Sequence, residues 1–343
     1  MAASNRVDVL TNNMINKGIA DTILGGNVLT VRALMGAKSW KSGKTWDKTV
    51  KVTSNSNVGS FAGLDLLTTS ATDNQVKFSF DPKFYRGSVT LIGTEITKNK
   101  AAGGMVEDMM AVEVQSTLED MANAIGTLLY SDGTGNSSKD FLGLTALIDD
   151  GNTVATLGGL SRSTYSTLAS TVTASGGTLT LAKLATLDSA IAEGSQLVPT
   201  LNLASETVGN LYEQLLQPQE RINKDVAMMK NGLVMGTGAR SFFYRGKSLL
   251  VDPKATSGVW FMVNENFHDF VALPHSGDGA KPLGFKAIFE GSVYSEVTGL
   301  GFTATEWLHP DNASSLVKHI YLGGEFVGWN PKRSGRLTGI TGV

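Results

Sequence analysis

The sequence of 343 residues contains no cysteine and only four histidines. Without thiols, the chain cannot form disulfides, use a thiolate nucleophile, or hold an iron–sulfur cluster or a Cys-ligated zinc ion. The histidines are separated by 7, 34 and 10 positions, and none of these spacings is the i,i+4 pair that places two imidazoles on one helix face. They are His268, His275, His309 and His319. We therefore expect no metal site.

Charge is also scarce, because Lys, Arg, Asp and Glu together make up 17% of the residues, against about 25% in typical soluble proteins. A lone monomer normally keeps more charge on its surface, whereas a subunit that covers its faces with copies of itself needs less. Arg6 and Asp8 stand where a signal peptide would carry its apolar run, and no window approaches the ~18 apolar residues of a membrane span. We expect broad self-contact, no membrane segment, and a protein kept in the cytosol unless it leaves by a route that the sequence does not show.

The net charge of −2 hides a separation of charge along the chain. Residues 1–51 carry eight Lys or Arg against three Asp, a net +5, residues 318–343 carry a net +3, and the middle carries −10. Basic ends can contact a polyanion or an acidic face of a neighbouring subunit, or can simply be solvated. Trp40 and Trp46, in the same basic stretch, can stack on bases or contact a partner subunit. The lysines of this stretch are Lys38, Lys41, Lys44, Lys48 and Lys51.

Apolar residues spaced by three and four, from Val106 to Leu128, predict one long amphipathic helix over about 104–130. The helix should end at 131–135, where Gly133 can take a left-handed conformation. It contains no Lys or Arg, so its outer face can attract cations or basic partners, or be an ordinary solvated acidic face. Its acidic residues are Glu107, Asp108, Glu113, Glu119 and Asp120.

The rest of the chain mixes strands and helices. The runs Thr49–Thr53 and Val76–Phe80 read as hairpin strands, and the Gly/Asn-rich stretch between them is too long for a tight turn. We interpret it as a projecting β-loop that is stabilised by lying on something else. A helix capped by Thr180, a buried strand over Leu197–Ala204, further strands and a returning strand near the C-terminus complete a mixed fold.

Motifs for catalysis fail on inspection. The segment Ser42–Thr45 is the second half of a P-loop, but its first glycine position holds Lys38. The G-x-G-x-x-A spacing of Gly299–Ala304 is not followed by a helix pattern. No G-x-S-x-G elbow occurs, and the Glu306–His309 pair is followed by Pro310. We expect no enzyme, no catalytic residue and no cofactor.

Three motifs after the helix resemble those of the major capsid proteins of tailed bacteriophages: Tyr130–Gly135, Gly143–Asp149 and Gly158–Thr164. The order of parts is also similar across nearly the whole chain. The resemblance implies an α+β, Hong Kong 97-like fold. Its expected parts are an N-terminal arm (1–45), an extended β-loop (46–92), a spine helix with a peripheral domain (93–174), an axial domain (175–310) and a C-terminal strand that returns to the periphery (311–343).

The same resemblance implies a self-assembling shell protein, with hexamers and pentamers that form an icosahedral phage head around double-stranded DNA. The expected location is the virion, after assembly in the host cytoplasm. Portal, scaffolding and decoration proteins are further possible partners of this class. The chain lacks the long charged N-terminal extension of some relatives, so we expect a separate scaffolding protein or none. Part of the family joins lysine and asparagine side chains covalently, but no motif here indicates which residues would do so.

The basic stretch, the acidic helix face and Arg162 of the third motif are the expected subunit-interface or DNA-facing residues. If charge pairing drives assembly, reversing Glu113 and Glu119 to Lys should impair assembly more than folding. Two alternatives stay open, namely an encapsulin-type compartment that encloses protein cargo and a Ser/Thr/Gly-rich surface adhesin. An enzyme is a more distant third.

Overall fold

The computed structural model of the protein describes residues 28–343, apart from 42, 67–68, 102–105, 194–196, 217–240, 277–279, 283–284, 290–292, 298–300 and 312. The predicted arm therefore lies outside the described residues up to position 27. The helices are α1 (Val28–Met35), α2 (Gly93–Ala101), α3 (Val106–Leu128), α4 (Leu144–Leu147), α5 (Leu181–Ala192) and α6 (Glu206–Leu216).

The strands lie between and after these helices along the chain. They are β1 (Lys38–Ser39), β2 (Trp46–Lys51), β3 (Gln75–Phe80), β4 (Lys83–Ile92), β5 (Thr156–Leu157), β6 (Leu160–Ser161), β7 (Thr171–Thr173), β8 (Gly177–Thr178), β9 (Leu201–Ala204), β10 (Ser241–Tyr244), β11 (Lys247–Val251), β12 (Trp260–Val263), β13 (His268–Ala272), β14 (Lys281–Pro282), β15 (Phe285–Phe289), β16 (Val293–Val297), β17 (Phe302–Ala304), β18 (Ser315–Gly328), β19 (Gly335–Leu337) and β20 (Ile340–Gly342).

The first large sheet is organised around β18, a strand of 14 residues. One edge of β18 pairs antiparallel with β4, from Ser315↔Ile92 to Gly324↔Lys83. Its other edge pairs with β17 and then with β13, so the sheet runs β1-β13-β18-β17-β14 with β4 beside β18. The strand near the C-terminus thus joins a strand from the first third of the chain, as the sequence pattern predicted.

The long helix predicted from apolar spacing is present as α3, which begins at Val106 and ends at Leu128. It packs on β4 at a place where the strand carries Gly87. A Cβ on Gly87 would lie 2.6 Å from Sδ of Met121 and 2.9 Å from Cγ2 of Thr117, so a larger residue here would force these side chains to shift. Gly133 takes the predicted positive φ, +76°, in the turn beyond the helix.

The second large sheet has the strand order β10-β11-β9-β12-β19-β7. Helices α5 and α6 contribute to its core, in which Trp260 and Tyr212 lie with ring centroids 5.2 Å apart. Thr180 caps α5 as predicted, because its side chain accepts a hydrogen bond from the amide of Lys183 at 3.2 Å. The buried strand predicted over Leu197–Ala204 is shorter than expected, since only β9 pairs, and Leu197 is 47% exposed.

Candidate interaction surfaces

A hairpin projects from the first sheet. Strands β2 and β3 pair antiparallel from Trp46↔Phe80 to Lys51↔Gln75, which confirms the predicted pairing of the two runs. At the base of the hairpin Phe78 and Phe80 are buried, and the ring of Trp46 lies 6.0 Å from that of Phe80. The base of the hairpin is therefore anchored in the core of the chain.

Beyond this ladder, the described residues of 52–74 are mostly exposed and are held by short polar contacts. The amide of Asn57 donates to Asn55 at 2.9 Å, and the Thr72 hydroxyl donates to the same Asn55 side chain at 3.1 Å. The apolar side chains of this segment, which we call the loop cluster, point into solvent with exposed fractions of 68–102%. The loop cluster consists of Val58, Phe61, Leu64 and Leu66.

Exposed apolar groups in this number are unfavourable for an isolated chain. Burying one such side chain stabilises a structure by about 1.5–3 kcal/mol, and contiguous apolar patches on soluble proteins usually mark contact sites. Among the described residues of 52–74, only Val52 is buried. The loop cluster is therefore a candidate contact surface.

The basic stretch lies beside the base of the hairpin. Nζ of Lys38 and Nζ of Lys48 lie 5.2 Å and 5.1 Å from the centroid of the Trp329 ring. Trp46 lies 6.0 Å from that same ring. An open cleft with Lys38, Lys41 and Lys44 among its lining residues continues this surface. We call Lys38, Lys41, Lys44 and Lys48 the lysine patch.

Two residues of the predicted basic set lie apart from the lysine patch. Trp40 is only 6% exposed, and its indole Nε1 donates to the carbonyl of Gly43 at 3.2 Å, so it is a core residue of this chain. Lys51 is exposed at the far end of β2. Trp329 was missed by the sequence analysis, because no local signal places it beside residues about 280 positions earlier in the chain.

The acidic residues of α3 differ in how far they reach solvent. Glu113 and Glu119 are half-buried, and Glu119 accepts a hydrogen bond from Nε2 of Gln115 at 2.8 Å. Asp120 is exposed. The side chains of Glu107 and Asp108, on the first turn of the helix, lie outside the part of the chain that the structure describes.

Arg162 was expected at a subunit interface or facing DNA, but the structure buries it completely. Its guanidinium donates to the carbonyls of Ala146 and Leu147 at 2.7 and 3.2 Å and lies 3.4 Å from Asp149. Asp149 also accepts from Nη2 of Arg336 at 2.5 Å. Burial lowers the pKa of Arg162 to about 10, while the charge of Asp149 acts in the opposite direction. The Arg162 guanidinium therefore makes contacts within this chain.

Asp149, Arg162 and Arg336, which we call the Asp149 cluster, bring two of the three motifs together in space. Asp149 ends the Gly143–Asp149 motif and Arg162 lies in the Gly158–Thr164 motif, while Arg336 comes from β19 of the second sheet. Burial alone would raise the pKa of Asp149, but the amides of Val154 and Gly151, with the charge of Arg336, outweigh burial and lower the pKa. The lowered pKa favours the ionised form of Asp149, which joins the segments of these two motifs to β19 of the second sheet.

The remaining motif, Tyr130–Gly135, follows α3 and also contributes a side chain that bonds to a buried carboxylate. The Tyr130 hydroxyl donates to Oδ2 of Asp252 at 2.9 Å, and the amide of Leu29 donates to the same oxygen at 3.2 Å. Tyr130 is 2% and Asp252 is 1% exposed. Asp252 directly follows strand β11, so its buried carboxylate connects α1 and the end of α3 to that strand.

The described residues offer little for catalysis. No group of three His, Asp or Glu side chains in that part of the chain is placed to hold a metal ion. Nε2 of His268 lies 2.9 Å from Oγ of Ser334, but these residues are 7% and 0% exposed, and burial lowers the pKa of His268 to about 4. Phe302–Ala304, within the glycine motif, is a strand and not the start of a helix.

Comparisons with known proteins identify the fold. No protein-family model and no curated protein matches the sequence. Among solved structures, the chain is similar to the capsid asymmetric unit of cyanophage A-1(L), with a TM-score of 0.76, 16% identity, and coverage of 96% of this chain and 97% of that one. The capsid of the native GTA particle matches with a TM-score of 0.55, 12% identity, and 99% coverage of both chains.

An encapsulin shares the fold as well. The holo-SrpI encapsulin of Synechococcus elongatus PCC 7942 matches with a TM-score of 0.54, 13% identity, and coverage of 98% of this chain and 95% of that one. The chain therefore has the α+β, Hong Kong 97-like fold, which confirms the fold implied by the motifs. No helix among the described residues has both the length and the apolar character needed to cross a membrane.

Proposed function

We propose that this chain is the shell subunit of a tailed-bacteriophage head, which self-assembles into hexamers and pentamers and encloses double-stranded DNA. The loop cluster is the observation that carries this proposal, because it presents four apolar side chains to solvent on a segment without a core of its own. A second copy of the chain is the partner that a shell fold supplies at every such loop. Each contact is then repeated around the closed particle.

The similarity to phage capsids favours a phage head over an encapsulin compartment. The TM-score is 0.76 against the cyanophage capsid and 0.54 against the encapsulin, over nearly the same share of this chain. The encapsulin remains the second candidate because its fold is shared. The adhesin alternative gains no support from these shell-protein neighbours, and we propose a structural role without catalysis.

Assembly by the purified full-length chain tests the proposal. We expect closed shells, or rings of five and six subunits, by negative-stain electron microscopy and light scattering, with added scaffolding protein if the chain alone stays small. Nuclease-protected DNA inside particles from phage-producing cells supports a phage head, whereas enclosed protein cargo supports the encapsulin candidate. A chain that stays monomeric in every condition would overturn the shell proposal.

The loop cluster provides the sharper test. The variant Phe61→Ser/Leu64→Ser/Leu66→Ser should fold normally, because these side chains are 68–102% exposed, but should fail to form shells. Its unfolding free energy should change by less than about 0.5 kcal/mol, as for other exposed substitutions. The matched control Phe61→Leu/Leu64→Met/Leu66→Met keeps the apolar surface and should assemble. Normal shells from the serine variant would show that the loop cluster does not join the copies.

A further inference from the structure

We propose that the lysine patch binds the phosphate groups of nucleic acid through charge and without sequence preference. This inference rests on the proposed function, since it names the surface that would meet the enclosed genome. The patch combines cations from β1, β2 and the segment between them. Trp329, which follows β18, brings Lys38 and Lys48 together by holding both ammonium groups at about the same distance from its ring.

The acids near the patch are already occupied. Asp47 accepts from Lys77 at 3.0 Å and from Ser79 at 2.7 Å, and these bonds lower its pKa. Asp269, which is 3% exposed at its side chain, pairs with Lys38. Among the described residues, no ion pair involves Lys41, Lys44 or Lys48. Three exposed ammonium groups are therefore left to attract an anionic partner.

The residue types of the patch indicate how it would bind. Phosphate contacts fix a protein on nucleic acid without reading its sequence, whereas base recognition requires side chains placed at the base edges in a groove. The patch consists of lysines, which act as point charges on flexible stems. Binding should consequently depend steeply on salt and only weakly on base sequence.

The acidic face of α3 on a second copy is the competing partner for these lysines. Glu119 already accepts from Gln115, and both Glu113 and Glu119 are half-buried. Asp120 is the acid of that helix that is exposed among the described residues. A phosphate chain, which repeats its charge at every nucleotide, therefore matches several adjacent ammonium groups better than this face does.

The test measures binding of full-length protein to a fluorescent 30-base-pair DNA by anisotropy across a salt series. The variant Lys41→Gln/Lys44→Gln/Lys48→Gln should bind at least tenfold more weakly at 0.1 M salt. Its negative slope of log K against log salt should become shallower by about 2–3. The control Lys139→Gln/Lys254→Gln/Lys281→Gln removes equal charge from other elements and should change both far less. Replacing the three patch residues with Arg should preserve binding, and a second DNA sequence should bind equally.

The possible outcomes separate the inference from the proposed function. Equal loss of binding in the patch and control variants would show a diffuse charge effect and overturn the inference, as would an unchanged salt slope in the patch variant. A patch variant that keeps DNA affinity but no longer forms shells would assign the lysines to a neighbouring copy instead. Wild-type protein that binds DNA through the patch yet never assembles would contradict the shell function alone.

Discussion

The loop cluster and the Asp149 cluster invert the usual distribution of side chains. At the loop, Leu64 and Leu66 are fully exposed, whereas the carboxylate of Asp149 and the guanidinium of Arg162 have no exposed surface. Burying ions without partners costs several kcal/mol each, and in the Asp149 cluster two arginines offset this cost by sharing one carboxylate. Large exposed apolar patches, by contrast, usually mark contact sites. The comparison teaches that buried charge connects segments within this chain, while the exposed apolar surface is left for the contacts between copies that we propose.

The largest effect on stability is expected when Asp149 is removed. Asp149→Ala leaves Arg162 and Arg336 without their shared carboxylate, and breaking a buried ion pair in this way costs about 3–5 kcal/mol. Urea unfolding followed by tryptophan fluorescence measures the loss. The control Asp150→Ala, whose carboxylate bonds only to neighbouring Asn152 in the described contacts, should cost far less. Equal losses of stability in the two variants would mean that the buried ion pairs of Asp149 contribute no more than the local hydrogen bonds of Asp150.

A smaller, pH-dependent effect is expected at Glu325. Burial raises the pKa of Glu325 to about 7, against the opposing charge of Lys83 and the amide of Leu142. The folded chain therefore holds this proton more tightly than the unfolded chain, and stability due to this group falls as pH rises from about 4.5 to 7. Glu325→Gln removes this dependence, so relative to the wild type it should gain on the order of 2 kcal/mol between pH 5 and pH 8.

Thermal or urea unfolding of both proteins at several pH values checks this prediction. The control Glu306→Gln replaces an exposed carboxylate whose pKa is lowered by its hydrogen bond and charge pairing with Lys281. It should not reproduce the gain at high pH. A stability difference between Glu325→Gln and wild type that is constant across this range would refute the pH argument.

The smallest of these effects is expected at Tyr130. Tyr130→Phe removes the hydroxyl that donates to Asp252 at 2.9 Å but leaves the bond from the amide of Leu29. A lost hydrogen bond to a buried charged acceptor costs about 1.5–3 kcal/mol at most, and the retained donor should hold the loss near 1 kcal/mol. Tyr165→Phe, at a half-buried ring, serves as the comparison in the same unfolding assay. If Tyr130→Phe lost as much stability as Asp149→Ala, the predicted order of the two effects would be wrong.

The parts that sequence analysis predicted well are those with a local signal. The three- and four-residue spacing of Leu118, Met121 and Ile125 predicts α3. These residues are buried in the structure, as the apolar face of an amphipathic helix should be. Thr180 is recognisable as a cap from its position just before an apolar repeat. The pairing of β2 with β3 follows from two β-type runs that flank one long polar stretch.

The parts that were missed depend on contacts between distant segments. Arg162 and Arg336 are 174 positions apart in the printed sequence, and nothing local shows that they share Asp149. A lone arginine in a Gly/Ser-rich loop resembles a surface residue for the same reason. Trp329 meets Lys38 and Lys48 only through the return of β18 to the first sheet. Long-range pairing of this kind is not encoded in any short window of sequence.

The length and placement of β18 also determine how the chain would respond to being pulled. Ten residue pairs join it to β4, and its opposite edge is bonded to β17 and β13. A tensile force along the strand would act on these hydrogen bonds side by side, in shear, and would not open them one after another. Within the plane of the sheet, the chain is consequently stiff in the direction of β18, so strain applied at one end is transmitted to residues more than 200 positions away in sequence.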